Sequence, residues 1–243
     1  MQLNTFANLW DYQVDYLEAP NERRGGWSGV ARLLLETPEG SKTAYLKRQQ
    51  NYTSRSCLHP FRGEPTLANE FKMMRHLAKN GVQTPHIIFY EQRRTNADLH
   101  AVLMTEDLAS FVPLDVMTEN LAALTLAQKR RLLKALASTV RTMHLAHVQN
   151  RSLYAKHLFI KEIDGNYEVA VIDLEKSRLS FLPLLRVLTD LATLHYRTNH
   201  WTKTSRLYFY MQYYQTQKLA WLHKVICRWI DKQAMKKRNK QTS

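Results

Sequence analysis

The sequence is short of the residues that break structure. It has 7 glycines and 7 prolines in 243 residues, which excludes a collagen-like or low-complexity chain. With 44% hydrophobic residues it reads as packed and globular rather than disordered. There are 2 cysteines, Cys57 and Cys227. Without metal-ligand spacing they exclude a disulfide framework and read as reduced, cytosolic thiols. No run of about 18 or more apolar residues occurs, so no membrane-spanning helix is expected. The opening Met1-Gln2-Leu3-Asn4-Thr5 lacks a basic region followed by an apolar core, and so does not read as a secretory signal. Acidic residues are scarce too, 21 against 35 Lys and Arg, for a net charge of +14. Such an excess draws polyanions to the surface. Nucleic acid, anionic lipid and phosphorylated glycolipid all qualify, and charge alone does not choose among them.

What is present is an ordered alternation of elements. Residues 30–36 and 42–49 read as two strands joined by the turn chemistry of Thr37-Pro38-Glu39-Gly40. Before them, Gly25, Gly26 and Gly29 give a backbone able to approach phosphates closely, or simply a flexible turn. A polar, basic stretch carrying Arg48, Arg55, His59 and Arg62 leads to a helix that starts at Pro65 and presents Leu67, Phe71, Met74 and Ala78 on one face. Two further strands, residues 86–90 and 99–105, end at a break, Glu106-Asp107-Leu108-Ala109-Ser110, placed as a hinge. A strong helix over residues 126–147 follows, with Leu132, Leu136, Val140 and Met143 as its stripe. Then come a polar loop at Asn150, a hairpin turning at Asp164-Gly165-Asn166, and helices from Leu182 onward. The expected fold is α+β, with a sheet-rich lobe over residues 1–105 and a helical lobe over residues 106–243.

Three residues stand out chemically. Asp173 closes the apolar run Val169-Ala170-Val171-Ile172, and a carboxylate at a strand end can hold Mg²⁺ between phosphates. Strand alternation places Tyr45 and Lys47 on one face and Ala44 and Leu46 on the other. Glu70, in the following helix, is placed to orient Lys47. Each alone reads as a solvated charge; the ordered set of Lys, Glu, loop and Asp is the pattern of phosphoryl-transfer enzymes. His144 and His147, three apart on a helix, lack a third ligand and read as packed or solvated.

Leu153-Tyr154-Ala155-Lys156-His157, Ile172-Asp173-Leu174-Glu175-Lys176-Ser177 and Leu188-Thr189-Asp190-Leu191 resemble the InaA-type branch of the lipopolysaccharide kinase family, with similarity from about Gly25 to Arg197. The resemblance implies a two-lobed, protein-kinase-like fold that uses ATP and Mg²⁺ to phosphorylate sugars of a lipopolysaccharide core. It implies that Lys47 binds phosphates, that Glu70 holds Lys47, and that Asp173 and His157 bind the metal. Gly25, Gly26, Gly29, Met104 and Glu106 would contact the nucleotide, and Asp190 would anchor the catalytic loop.

Two positions depart from the kinase pattern. Asn150-Arg151-Ser152-Leu153 puts Ser152 where the catalytic Asp would stand. A hydroxyl is no general base near neutral pH, and losing one typically costs about 10²–10⁴-fold. A slow kinase, a relocated base and a nucleotide-binding pseudokinase all remain open. Tyr45 replaces a small residue that roofs adenine; it either narrows that pocket or packs under the sheet. The expected partners are a lipopolysaccharide core or another phosphorylated glycolipid and an anionic membrane surface, with no nucleic acid, since no recognition helix or aromatic RNA-binding motif occurs. The expected location is cytoplasmic, peripheral on the inner membrane. The aromatics of the C-terminal segment are expected in the core, with the basic tail drawn to the membrane.

Overall fold

The structure is a computed structural model that describes residues 4–23, 25–38, 40–56, 59–95, 98–119, 123–198 and 201–239. The chain divides into two compact units: Met1–Arg75 with Pro85–Ala109, and His76–Thr84 with Ser110–Ser243.

The first unit begins with a short helix, α1 (Phe6–Asp11), capped by the Thr5 side chain. Five antiparallel strands follow: β1 (Asn21–Arg23), β2 (Gly26–Thr37), β3 (Gly40–Gln50) and, after an interruption, two more. That interruption holds a separate hairpin, β4 (Thr53–Ser56) and β5 (His59–Pro65), and the helix α2 (Thr66–Lys79). The strands β6 (Ile87–Thr95) and β7 (Asp98–Glu106) complete a sheet ordered β1-β2-β3-β7-β6. On one face Leu33, Ala44, Leu46, Val102 and Met104 form a core with Phe6 and Leu9 of α1. Burying such side chains contributes about 1.5–3 kcal/mol each, so this face is fixed. Residues directly opposite in an antiparallel pair share a face. Tyr45 therefore sits beside Thr105, and Lys47 beside Leu103, on the other side of the sheet.

The hairpin β4–β5 corrects the expectation of a plain basic loop. Arg48 is buried, and its guanidinium donates to the carbonyls of Trp10 and Tyr12. It holds the N-terminal segment to the sheet, so it is not a free phosphate ligand. Arg55 is exposed, and the side chains of His59 and Arg62 lie outside the described set. On α2 the buried positions are Leu67, Ala68, Glu70, Met73, Met74 and Leu77; Ala78, placed on the apolar face by its spacing, is exposed, and Phe71 stacks on Tyr90.

In the second unit a short strand, β8 (Val112–Pro113), leads to α3 (Leu114–Glu119) and the long helix α4 (Leu126–Leu145). Thr125 and Gln128 form a reciprocal capping box at the start of α4. The strand β9 (Val148–Gln149) precedes the polar loop, which ends in a 3-10 turn, Ala155–His157. The hairpin β10 (Leu158–Ile163) and β11 (Asn166–Val171) turns through Asp164 and Gly165, at φ 49° and 74°. Both central residues lie in the left-handed region, as a type I′ turn requires. The strand β12 (Arg178–Leu179) pairs with β9, and α5 (Pro183–Arg197), α6 (Lys203–Tyr213) and α7 (Trp221–Asn239) finish the chain. Helices α4 and α6 pack together, as do α5 and α7. The stretch His76–Thr84 joins this unit through His76 on the Ala146 carbonyl and a bridge from Gln83 to Ala170.

Trp201, Phe209, Tyr210 and Tyr213 are core, as expected, whereas Trp221 and Trp229 are 77% and 42% exposed. Cys227 is buried among them, its thiol pushed up to about 12 first by burial and then by the Asp231 charge. That is an inert thiol. Cys57 lies outside the described residues. No described helix is long and apolar enough to cross a membrane.

Candidate active site

Lys47 and Glu70 meet. The Lys47 Nζ lies 2.7 Å from Glu70 Oε1, with the carboxylate 5% exposed and the ammonium 24% exposed. A carboxylate this deeply placed is stable only when paired. Glu70 thus fixes the amine on the face of β3 opposite Ala44 and Leu46, and an ammonium can make charge-assisted hydrogen bonds to phosphate oxygens. Tyr45, two residues earlier on the same face, is partly buried and hydrogen-bonds Asp107. Burial, then the Asp107 charge, holds its hydroxyl protonated above the usual range. It does not pack beneath the sheet; Ala44 and Leu46 occupy that side.

Three of the residues assigned to the nucleotide have a structural reason of their own within the first unit. Met104 is 1% exposed and belongs to the core with Phe6 and Leu9, on the face opposite Lys47. Leu103 and Thr105 are the β7 residues on the side of Lys47, a parity visible only once the register is known. Gly26 and Gly29 are glycines because the chain itself fills their space. A Cβ on Gly26 would lie 2.3 Å from the Asn51 carbonyl carbon, and one on Gly29 would lie 2.4 Å from the Tyr16 ring. Gly25, at φ 77° with open space around it, forms the β1–β2 turn and keeps its backbone accessible. Glu106 ends β7; its N–H donates to the His86 carbonyl and its carboxylate lies 3.7 Å from the His86 ring. Gly29→Ala is accordingly expected to lower stability by about 1–3 kcal/mol through overpacking on Tyr16, with ATP affinity unchanged. Chemical denaturation together with nucleotide titration checks this, and Tyr16→Ala should relieve the defect.

The second unit holds the acid and the imidazole. Asp173 follows β11 at φ 56°, in the left-handed region that Asp tolerates better than most residues. Its Oδ2 lies 3.3 Å from His157 Nε2. The other ring nitrogen, Nδ1, lies 2.9 Å from the Ser152 carbonyl. A carbonyl only accepts, so Nδ1 carries the proton. Burial lowers the His157 pKa below its ordinary 6.5, outweighing the opposite pull of Asp173. The neutral ring then turns the Nε2 lone pair toward a carboxylate oxygen. Two electron-pair donors facing one another are satisfied by a cation. A ring N–H donated to a carbonyl is also how metal-binding histidines are held. Among the described residues no group of three or more His, Cys, Asp or Glu gathers. A donor pair of one carboxylate and one imidazole fits Mg²⁺, which takes one or two protein ligands and completes its shell with phosphates and water.

The pH dependence follows from the direction of the shift. A depressed imidazole pKa means the unfolded chain takes up its proton before the fold does, so stability falls as pH drops below 6.5. An NMR titration of His157 is expected to show a midpoint below 6.5 that moves lower still when Mg²⁺ is added.

Asp190 anchors the polar loop. Fully buried, its carboxylate accepts from the Asn150 N–H at 2.7 Å, the Arg151 N–H at 2.8 Å and His144 Nε2 at 3.2 Å. The His144 Nδ1 meets the Tyr213 hydroxyl at 2.7 Å. With the Nε2–H on the Asp190 carboxylate, Nδ1 of a neutral ring accepts from the Tyr213 hydroxyl, whose pKa burial raises. Arg151, at φ 66°, makes the sharp bend that brings both N–H groups onto one carboxylate. Ser152 is buried, and its N–H donates to the Asn150 side chain at 2.9 Å. The share of His144 and Tyr213 in this network left no pattern in the sequence, because three elements far apart in the chain supply it.

Comparison with known proteins gives the family of the chain. Residues 7–214 match the model of the lipopolysaccharide kinase (Kdo/WaaP) family. The chain is 33% identical to protein InaA of Escherichia coli (strain K12) over 175 residues, 71% of this chain and 78% of that protein. It is 30% identical to the lipopolysaccharide core heptose(I) kinase WaaP of Pseudomonas aeruginosa over 116 residues, 45% of this chain and 43% of that protein. A solved structure of WaaP in complex with acyl carrier protein superimposes with a TM-score of 0.71 at 22% identity, covering 95% of this chain and 91% of that one. The fold is thus α+β and protein-kinase-like, with a sheet-rich first unit and a helical second unit. The chain belongs to the lipopolysaccharide kinase (Kdo/WaaP) family.

Proposed function

We propose that this protein is an ATP-dependent kinase that phosphorylates a sugar hydroxyl of a lipopolysaccharide core. Its place would be the cytoplasmic side of an anionic membrane, where it binds peripherally. The observation that carries the reading is the Nε2 lone pair of His157 facing the Asp173 carboxylate at 3.3 Å, the donor set for a phosphate-bound Mg²⁺. When bound, that ion neutralises charge on the phosphates. Lys47, held by Glu70, is the cation proposed to grip nucleotide phosphates. Gly25 offers a turn whose backbone can approach the phosphates.

In the transfer, the acceptor oxygen bonds to the γ-phosphorus, the bond to the β,γ-bridging oxygen breaks, and ADP leaves. The acceptor proton passes to the transferred phosphoryl group, because Ser152 cannot take it. The loose transition state of phosphoryl transfer asks little of a base, so this chemistry survives without one.

A pseudokinase reading rests on the same serine, which is 4% exposed and offers no carboxylate. Measuring Mg-ATP binding and transfer to purified core oligosaccharide as separate quantities decides between them. The kinase reading expects both, with both weakened on Lys47→Ala. Binding without transfer to any core acceptor would establish the pseudokinase.

A further inference from the structure

The loop that holds Ser152 is bordered by an apolar ridge. Its residues are Leu179, Phe181, Leu182 and Leu184, which are 47%, 75%, 64% and 52% exposed, together with Leu145 at 61%. Phe181 and Leu182 lie between β12 and the first turn of α5, so the chain runs Phe-Leu-Pro-Leu across an open surface. The ridge is tied to the loop by pairing. Arg178 and Leu179 pair with Gln149 and Val148, one residue before Asn150. The Ser180 N–H donates to the His147 carbonyl at 2.8 Å, and the Phe181 ring lies 5.1 Å from that of His147. Soluble surfaces carry single apolar residues freely, but a contiguous group of this kind marks an interaction site.

The charge around the ridge says what covers it. Residues 120–161, which supply Leu145 and the loop, contain no Asp or Glu and eight Lys or Arg. Residues 176–189, which supply the rest, contain no Asp or Glu and three Lys or Arg. Arg151, Lys156, Lys176 and Arg178 are exposed. Exposed leucine and phenylalanine beside exposed Arg151, Lys156, Lys176 and Arg178, with the Asp190 carboxylate at the loop buried, complement an anionic bilayer: the apolar tips enter the acyl boundary and the cations meet the headgroups.

We infer that the Leu179–Leu184 ridge with Leu145 is the membrane-docking surface of this protein, and that it sets the Asn150–Ser152 loop at the headgroup level of an anionic leaflet. This rests on the proposed function for the identity of the acceptor, a sugar attached to a lipid. It differs from the sequence-based expectation, which gave that task to the basic C-terminal tail.

The test uses the full chain, with vesicles of phosphatidylcholine alone or mixed with phosphatidylglycerol. Wild type is expected to cosediment with the mixed vesicles, less so at high salt, and weakly with phosphatidylcholine alone. Phe181→Asp with Leu182→Asp is expected to weaken that association at least about tenfold. Transfer to delipidated core oligosaccharide should be unchanged, and a second pair, Leu145→Ser with Leu184→Ser, should weaken vesicle association in the same direction. Retained binding in both pairs overturns the inference. So does loss of binding only when Trp221 and Trp229 on α7 are replaced, or a wild type that ignores vesicles and uses the ridge to bind a protein or a second copy of itself. Patch-dependent vesicle binding in a protein that transfers no phosphate to any core sugar would contradict the kinase reading and leave the docking surface supported.

Discussion

Asp173→Asn is expected to lower phosphoryl transfer by about 10³-fold or more and to remove the Mg²⁺ dependence of ATP binding. The size follows from losing a charged ligand to an ion that supplies several kcal/mol of charge stabilisation, at about 1.4 kcal/mol per tenfold. Asparagine is the informative replacement. The residue sits at φ 56°, where alanine would add backbone strain, while asparagine tolerates the left-handed region. The unfolding temperature should therefore barely move, and His157 should lose the partner 3.3 Å from its Nε2. Steady-state transfer measured against Mg²⁺ concentration checks this. A variant that keeps wild-type turnover would remove Asp173 from the site.

Asp190→Ala should act on the other quantity. It is expected to destabilise the fold by about 3–5 kcal/mol, because two backbone N–H groups and a histidine lose a buried, charged acceptor together. For a chain of this length that corresponds to roughly 10 °C in unfolding temperature. Residual transfer should also fall, since the bend at Arg151 loses its anchor. Calorimetry gives the first effect and activity per folded molecule the second. A change of less than about 1 kcal/mol would mean that water replaces the carboxylate, and the loop would then be held by its neighbours.

The residues legible in the sequence were those whose signal is local. Lys47 and Asp173 were singled out by strand alternation and by a carboxylate closing an apolar run, and Glu70 by lying in the helix after the lysine strand; the structure shows Glu70 on Lys47 and His157 beside Asp173. Asp190 was reached through family likeness, and the structure shows three donors converging on its carboxylate. What failed depended on distant partners. Glycine in sequence says that a Cβ is absent, not what fills its space; at Gly26 and Gly29 the chain's own Asn51 and Tyr16 do so. The side on which Met104 points is set by the pairing of Leu46 with Met104 across β3 and β7. The hairpin β4–β5 carries polar residues and two prolines with no apolar alternation, so nothing marked it as strand. Arg48 read as part of a polar, basic stretch, and nothing local showed that its guanidinium would meet two main-chain carbonyls. The exposed Trp221 and Trp229 could not be told from core aromatics by composition.

The central proposal is that the Asp173–His157 pair, 3.3 Å apart, holds the Mg²⁺ of a bound nucleotide. A double-mutant cycle on Mg-dependent ATP affinity, with wild type, Asp173→Asn, His157→Ala and the double variant, tests it most directly. Both single changes should weaken binding, and the double change should cost less than their sum, a coupling of about 1 kcal/mol or more. Strictly additive losses, or an affinity that ignores both residues, would contradict it.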